Sequence, residues 1–273
     1  MIGDAVLGKN ESAGVGPIVQ MHRKVMIATP TMNGMVTAEY SISLSHSSRL
    51  GAKVGVEFIP IILKAEHNLD RGRNTLLQMA AKSDCTDLIW IDADQGWLPE
   101  LAIKFLEYPV DIVGAPIRMK EEREEKYNVK VAAGGIIPIC EKTRLLMPES
   151  IGTGFLRMSR KAFMALYESG EEVTDDRGGT IRWAYKYGPE GGRLMGEDVY
   201  AAHRLKQLGF QYYLDPQSTP DHVGQKTFQG DFLTWLKRKQ QEEAARSAAQ
   251  LPNVTPISES QSPAPATATP TKQ

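Results

Sequence analysis

The chain has 273 residues, 41% of them hydrophobic, with 32 Lys and Arg against 33 Asp and Glu and a formal net charge of −1. That length supports one full α/β core rather than two small ones, and the balanced charge excludes the general basic excess of a non-specific nucleic-acid binder. No apolar run approaches membrane-spanning length, Met1–Val19 lacks the basic and apolar sections of a secretory signal, and Cys85 and Cys140, without paired ligand spacing, read as reduced thiols of a cytoplasmic protein.

Residues 1–21 read as a flexible arm. Lys24–Thr29 predicts the first core strand, which Pro30, Asn33 and Gly34 break into a loop. Val36–Arg49 has helical spacing, Gly55–Ile62 contains a second strand, and Arg71–Lys82 is an amphipathic helix. Leu88–Ile91 is short, apolar and β-prone, as a buried parallel strand requires, and Asp92 and Asp94 follow where it leaves the sheet. Pro99–Glu107 reads as a helix with Pro in its first turn, and Val110–Ala115 as the next strand. This alternation predicts a mostly parallel sheet flanked by helices on both faces.

The charge run Lys120–Lys126 reads as a solvated loop or helix end. Val129–Ile139 and Ser150–Met158 predict shorter strands, Ser159–Tyr167 a helix, and Thr174–Thr180 a polar, turn-rich loop. Glu197–Leu208 is a helix ended by Gly209, and Phe210–Leu214 a late strand. Asp231 to about Ala249 is a last helix, where Phe228, Phe232, Trp235 and Leu236, followed by Lys237, Arg238 and Lys239, read as a core-packing lid or else as a membrane-surface or acceptor-docking helix. The expected organisation is thus an arm (1–21), one α/β domain (22–230), a C-terminal helix (231–250) and a disordered Pro, Ser, Thr and Ala tail (251–273).

Ligands of open α/β sheets bind at the carboxyl ends of strands. Two hard oxygen donors there, Asp92 and Asp94, suit Mn²⁺ or Mg²⁺, and the ion in turn suits a diphosphate. Glu197 and Asp198 open a helix, where the partial positive charge favours the carboxylate anion; plain helix capping explains them equally. Arg71 and Arg73 start a helix, and helix N-termini favour phosphate. Arg204, about two turns beyond Asp198, reads either as a diphosphate contact or as a helix brace. Gly152 and Gly154 allow a close backbone approach by a sugar or an acceptor, or else form a β-bulge.

Three segments then stand in a telling order: Trp90-Ile91-Asp92-Ala93-Asp94, Gly196–Phe210 and Asp215–Gly224. This order resembles the GT-A-fold glycosyltransferases, in particular the family 2 type and its small phage-encoded relatives. The resemblance extends over roughly residues 24–224, with Arg73-Asn74 and Ile151–Leu156 as supporting pieces. It implies a GT-A-like fold and transfer of a sugar, with inversion, from a nucleoside-diphosphate sugar to a hydroxyl. It implies Asp94, Asp92 and His222 at a Mn²⁺ or Mg²⁺ ion, and Asp198 as general base with Glu197 beside it. It also implies donor contacts from Thr29, Pro30, Thr31, Arg73, Asp92, Gly154 and Arg204. The acceptor stays open among a glycan, a lipid-linked sugar, a protein and a modified base of phage DNA; for the last, Arg118, Lys120, Arg123 and residues 237–239 are the only basic hints. A phage enzyme of this kind would work in the cytoplasm of the host cell. The rivals are a nucleotidyltransferase acting on a sugar phosphate and a non-catalytic nucleotide- or glycan-binding module. The first usually carries a basic, Gly-rich loop after its first strand, whereas Thr29–Gly34 has no basic residue.

Overall fold

The computed structural model describes residues 22–64, 66–131, 135–174, 178–224 and 227–249, so the expected arm and tail lie outside the described residues. In chain order the elements are β1 (Arg23–Pro30), α1 (Ala38–Lys53), β2 (Val56–Leu63), α2 (Leu69–Lys82), β3 (Asp87–Ile91), β4 (Gln95–Gly96), α3 (Pro99–Glu107), β5 (Ile112–Gly114), β6 (Val129–Lys130), β7 (Ser150–Ile151), β8 (Phe155–Ser159), α4 (Arg160–Ser169), β9 (Glu171–Thr174), β10 (Thr180–Trp183), β11 (Gly188–Glu190), β12 (Arg193–Met195), α5 (Glu197–Gln207), β13 (Tyr213–Leu214), β14 (Asp221–Val223), β15 (Thr227–Phe228) and α6 (Phe232–Ala249).

The main sheet has six strands in the order β13-β5-β8-β3-β1-β2. β1 pairs in parallel with β2 and β3, and β13 with β5, while β8 runs antiparallel to both β3 and β5. Five of the six strands therefore point one way. Side chains alternate across each strand and sort the core into two layers. Met26, Ala28, Leu88 and Trp90 face Leu76 and Leu77 of α2, Phe163 of α4 and Leu205 of α5. Val25, Ile27, Ile89 and Ile91 face Tyr40 of α1 and Leu101 and Phe105 of α3. The expected mostly parallel sheet with helices on both faces is the observed architecture. Among the described residues no helix is long and apolar enough to cross a membrane.

Local chemistry sets the boundaries. The Thr37 hydroxyl accepts from the Tyr40 amide at 3.2 Å and starts α1, and Ser159 does the same for α4 through the Ala162 amide at 3.3 Å. Gly209, at φ 86°, stops α5 in the left-handed conformation that an L side chain resists. Other expectations fail for identifiable reasons. Ser150–Met158 is not one strand: Gly152-Thr153-Gly154 divides it into β7 and β8. Of Val129–Ile139 only Val129–Lys130 forms a strand, Ile139 makes an isolated bridge to Leu146, and residues 132–134 lie outside the described residues. The polar stretch expected at Thr174–Thr180 joins β9 to β10, which pair antiparallel up to Thr174 and Thr180, and residues 175–177 lie outside the described residues.

One buried ionic cluster ties the sheet together. Asp87, fully buried at the start of β3, accepts from Arg157 Nε of β8 at 2.7 Å and from Arg23 Nη1 of β1 at 3.0 Å. Three neighbouring strands are thereby held at the end opposite the acidic turn. The C-terminal helix packs as expected: Phe232 is fully buried, and its ring and that of Trp235 meet Tyr127 at 4.9 and 5.1 Å between centroids.

Candidate active site

The acidic turn is built by the strand before it and locked by three other segments. β3 is buried along its whole length and delivers Asp92 and Asp94 at its carboxyl end. The Asp92 amide donates to the Gly154 carbonyl at 3.0 Å, the Thr37 amide to the Ala93 carbonyl at 2.9 Å, and the Val223 amide to the Asp94 carbonyl at 2.8 Å. Directly after the turn, Gln95 pairs in antiparallel register with His222. This short ladder brings a histidine 128 positions downstream onto the acidic turn.

His222 Nδ1 lies 2.8 Å from the Arg118 carbonyl, which fixes that nitrogen as the donor. Nε2 is then turned toward Asp94, 3.5 Å from Oδ1. A ligating histidine is commonly oriented this way, through its second nitrogen. Lys120 Nζ holds the other Asp94 oxygen at 2.6 Å. Burial pushes the Asp94 carboxyl up, but its neighbours His222 and Lys120 outweigh it and bring it down to about 2. Asp92 is turned elsewhere, toward Arg73 Nη2 at 3.1 Å, while Arg73 Nε reaches Glu197 at 3.1 Å. Among the described residues no three acid, His or Cys side chains converge as a ready-made ligand set. Asp94 and His222 nevertheless fit a hard divalent ion that takes its remaining ligands from water and from a substrate diphosphate, the usual pattern for Mg²⁺.

Arg73 is the buried hub. Its guanidinium lies 5.4 Å from the centre of the Trp90 ring, and its side chain is only 4% exposed. Burial would lower its pKa, but Asp92 and then Glu197 raise it on balance, so it stays charged. Its Nη1, and both side-chain polar atoms of Gln95, are buried without a protein partner, leaving hydrogen-bonding capacity unused at this wall. Asn74 turns away from the site and accepts from the Ala184 and Tyr185 amides, each at 2.8 Å.

Glu197 and Asp198 open α5 after Gly196. Asp198 is not the readily ionised helix-end carboxylate that the sequence predicts. Burial, followed by the negative charge of Glu197, raises its pKa above the ordinary value, with Arg73 opposing. Burial outweighs the helix-end effect here, and a raised pKa suits a base working near neutral pH. Gly152 and Gly154 make room for the acids themselves. A Cβ on Gly154 would lie 3.3 Å from Asp92 Oδ2, and one on Gly152 would lie 3.2 Å from Asp198 Oδ2. The two carboxylates thus pack against the same short backbone segment between β7 and β8.

Three adjoining cavities form a trench along these residues. The first, about 570 Å³, is lined by Pro30, Thr31, Arg73, Asp92, Asp94 and His222. The second, about 280 Å³, shares Arg73, Asp92 and His222 with it and adds Gly154, Glu197, Asp198 and Lys120. The third, about 340 Å³, shares Met119, Asn128, Gly152 and Asp198 with the second, and is otherwise mainly apolar, with Tyr127, Val129, Ile151 and Val199.

Two residues expected at the donor are not brought there. Thr29 is fully buried, its hydroxyl 2.6 Å from the Tyr40 hydroxyl, so it packs β1 against α1. Arg204 points the other way along α5, to Gln207 Oε1 at 3.1 Å and the Ser169 carbonyl at 3.4 Å, and braces the helix. Lys120, Asn128 and Gln95 line the second cavity without having been singled out for it in the sequence. Asn128 Oδ1 accepts from the Ile117 amide at 2.7 Å, and its amide nitrogen reaches toward the two glycines.

No family model matches the chain, and no curated protein matches it. Solved structures that align with it include a protein of Bacillus anthracis described as a glucose-1-phosphate thymidylyltransferase, in complex with sucrose. It is 11% identical over 81% of this chain and 95% of that one, with a TM-score of 0.39. The inositol-1-phosphate CTP transferase of T. maritima is 13% identical over 82% and 97%, with a TM-score of 0.38. Residues 1–349 of S. aureus TarS are 10% identical over 81% and 65%, with a TM-score of 0.35.

Proposed function

We propose that the chain is a metal-dependent glycosyltransferase that moves a sugar from a nucleoside-diphosphate sugar to an acceptor hydroxyl. The observation that carries this reading is the charge balance of the trench. Asp92, Asp94, Glu197 and Asp198 stand against Arg73 and Lys120, an excess of two acidic over basic side chains. Such a wall repels a diphosphate and attracts a divalent cation, and the two together bind as a neutralised pair. Bound there, Mn²⁺ or Mg²⁺ would act as a Lewis acid on the leaving diphosphate without any proton transfer.

The protein's own residues account for the other requirements. Pro30 and Thr31 line the end of the trench where a nucleoside would lie, with Asp92 between that cavity and the next. Arg73, fixed between Asp92 and Glu197, holds a permanent positive charge beside the diphosphate. Asp198 stands between the second cavity and the third, so an acceptor entering from the apolar side would meet its carboxylate first. In the inverting reaction that this implies, Asp198 takes the acceptor proton as the oxygen attacks the anomeric carbon. The bond to the diphosphate breaks on the opposite face, and the diphosphate leaves with the electron pair.

Thermal denaturation with a panel of nucleotide sugars, with and without Mn²⁺, tests the donor half of the reading. One nucleotide sugar at a hundredfold excess over Kd is expected to stabilise the folded chain by roughly 2.7 kcal/mol, only when Mn²⁺ is present. Asp94→Ala is expected to abolish the shift. An equal shift without metal, or in the variant, would remove Asp94 from the site.

A further inference from the structure

We propose that Lys120 is a resident counter-ion of the metal position: it holds Asp94 while the ion is absent, competes with the ion for that carboxylate, and turns to the donor diphosphate once displaced. This rests on the metal-dependent reading above. Lys120 Nζ lies 2.6 Å from Asp94 Oδ2, and His222 Nε2 lies 3.5 Å from Oδ1. The ammonium thus sits on Oδ2, on the side of the carboxylate away from His222, and an ion approaching Asp94 competes with its charge. The pair is about one-third exposed, 34% for Lys120 and 36% for Asp94, so the ammonium has a way out. That way leads along the cavity it already lines with Arg73 and Asp198.

The loop that carries Lys120 is anchored on its other side. Its base is closed by pairing of Arg118 with Tyr127, and the Met119 amide donates to the Lys126 carbonyl at 2.8 Å. The far limb is pinned to α6: the Trp235 ring nitrogen donates to the Glu125 carbonyl, Arg238 reaches Glu125 at 3.3 Å, and Lys239 reaches Glu124 at 2.9 Å. Lys120 lies on the near limb, beside Asp94. Its flexible four-carbon stem can carry a compact charge from the carboxylate to a neighbouring phosphate. As the sugar–oxygen bond breaks, the electron pair stays on the diphosphate, and the ammonium offsets the charge that develops there without giving up a proton.

The test is Mn²⁺ titration of the full chain by calorimetry, without nucleotide, for wild type, Lys120→Met and Lys120→Arg, paired with donor kinetics. Losing the competitor is expected to tighten Mn²⁺ binding by about three- to fivefold in Lys120→Met, the upper end for one exposed ion pair, while Lys120→Arg stays within about twofold of wild type. Turnover should fall in Lys120→Met, by about tenfold, even with Mn²⁺ saturating, and recover in part in Lys120→Arg. Mn²⁺ bound equally or more weakly by Lys120→Met overturns this inference alone. Absence of Mn²⁺ binding in all three proteins also overturns it, and the metal-dependent reading falls as well only where a nucleotide sugar shows no Mn²⁺-dependent stabilisation either.

Discussion

Asp198→Asn is expected to lower kcat by about a thousandfold while leaving donor binding and the melting temperature of the free protein nearly unchanged. A positioned general base contributes about 10²–10⁴ to a rate, and an amide of the same shape keeps the packing but cannot take the proton. The variant should retain the Mn²⁺-dependent stabilisation by a nucleotide sugar, because Asp198 lies on the side of the trench away from Pro30 and Thr31. The pH profile carries the same information. Burial and then Glu197 raise the Asp198 carboxyl, so it takes up a proton at higher pH than an ordinary aspartate. Activity must therefore fall, as pH is lowered, above the ordinary aspartate range. Glu197→Gln removes the neighbouring negative charge and should move that acid limb to lower pH. An Asp198→Asn protein retaining more than about a tenth of wild-type kcat would lie outside that range and remove the base assignment.

The largest stability effect is expected far from the trench. Asp87→Ala should destabilise the fold by about 3–5 kcal/mol, because it leaves Arg157 buried without its carboxylate. Arg157 Nε and Nη2 both meet Asp87, at 2.7 and 2.5 Å, and the Arg157 side chain is 4% exposed. Arg23, a third exposed, can turn to water and suffers less. Replacing both members at once, as Asp87→Leu with Arg157→Met, should recover most of the loss, since two apolar side chains need no partner. Urea denaturation of the three proteins measures this. A cost below about 1 kcal/mol for Asp87→Ala would mean that the cluster contributes no more than a surface pair.

Strong local signals made part of this legible in sequence. Leu88–Ile91 is a run that can only be buried, and the change to carboxylates at Asp92 marks the strand's exit; both are observed. Glu197 opens its helix where predicted, and Ser159 sits as a cap just before Arg160. What escaped depends on partners distant in the chain. Thr29 reads as a ligand-facing strand end, yet the Tyr40 hydroxyl, supplied by a separate helix, claims it. The reversed direction of β8 has no signature, since Phe155–Met158 is buried on both sheet faces whichever way it runs. The charge run Lys120–Lys126 looks uniformly solvated. Folding sends Lys120 to Asp94, 26 positions back, and Glu124 and Glu125 to α6, more than a hundred positions ahead. No local pattern separates these residues from their neighbours. Gly152 and Gly154 read as room for a substrate or as a β-bulge; they line the second cavity, and the site's own Asp198 and Asp92 pack against them.

The most direct measurement is phosphorus NMR of the full chain incubated with Mg²⁺ and the nucleotide sugar that stabilises it. The account predicts release of the nucleoside diphosphate, slowly to water and faster once an acceptor hydroxyl is supplied, with both rates lost in Asp94→Ala. Formation of pyrophosphate from a nucleoside triphosphate and a sugar 1-phosphate, with the nucleotide sugar left uncleaved, would contradict it and assign the trench to nucleotidyl transfer.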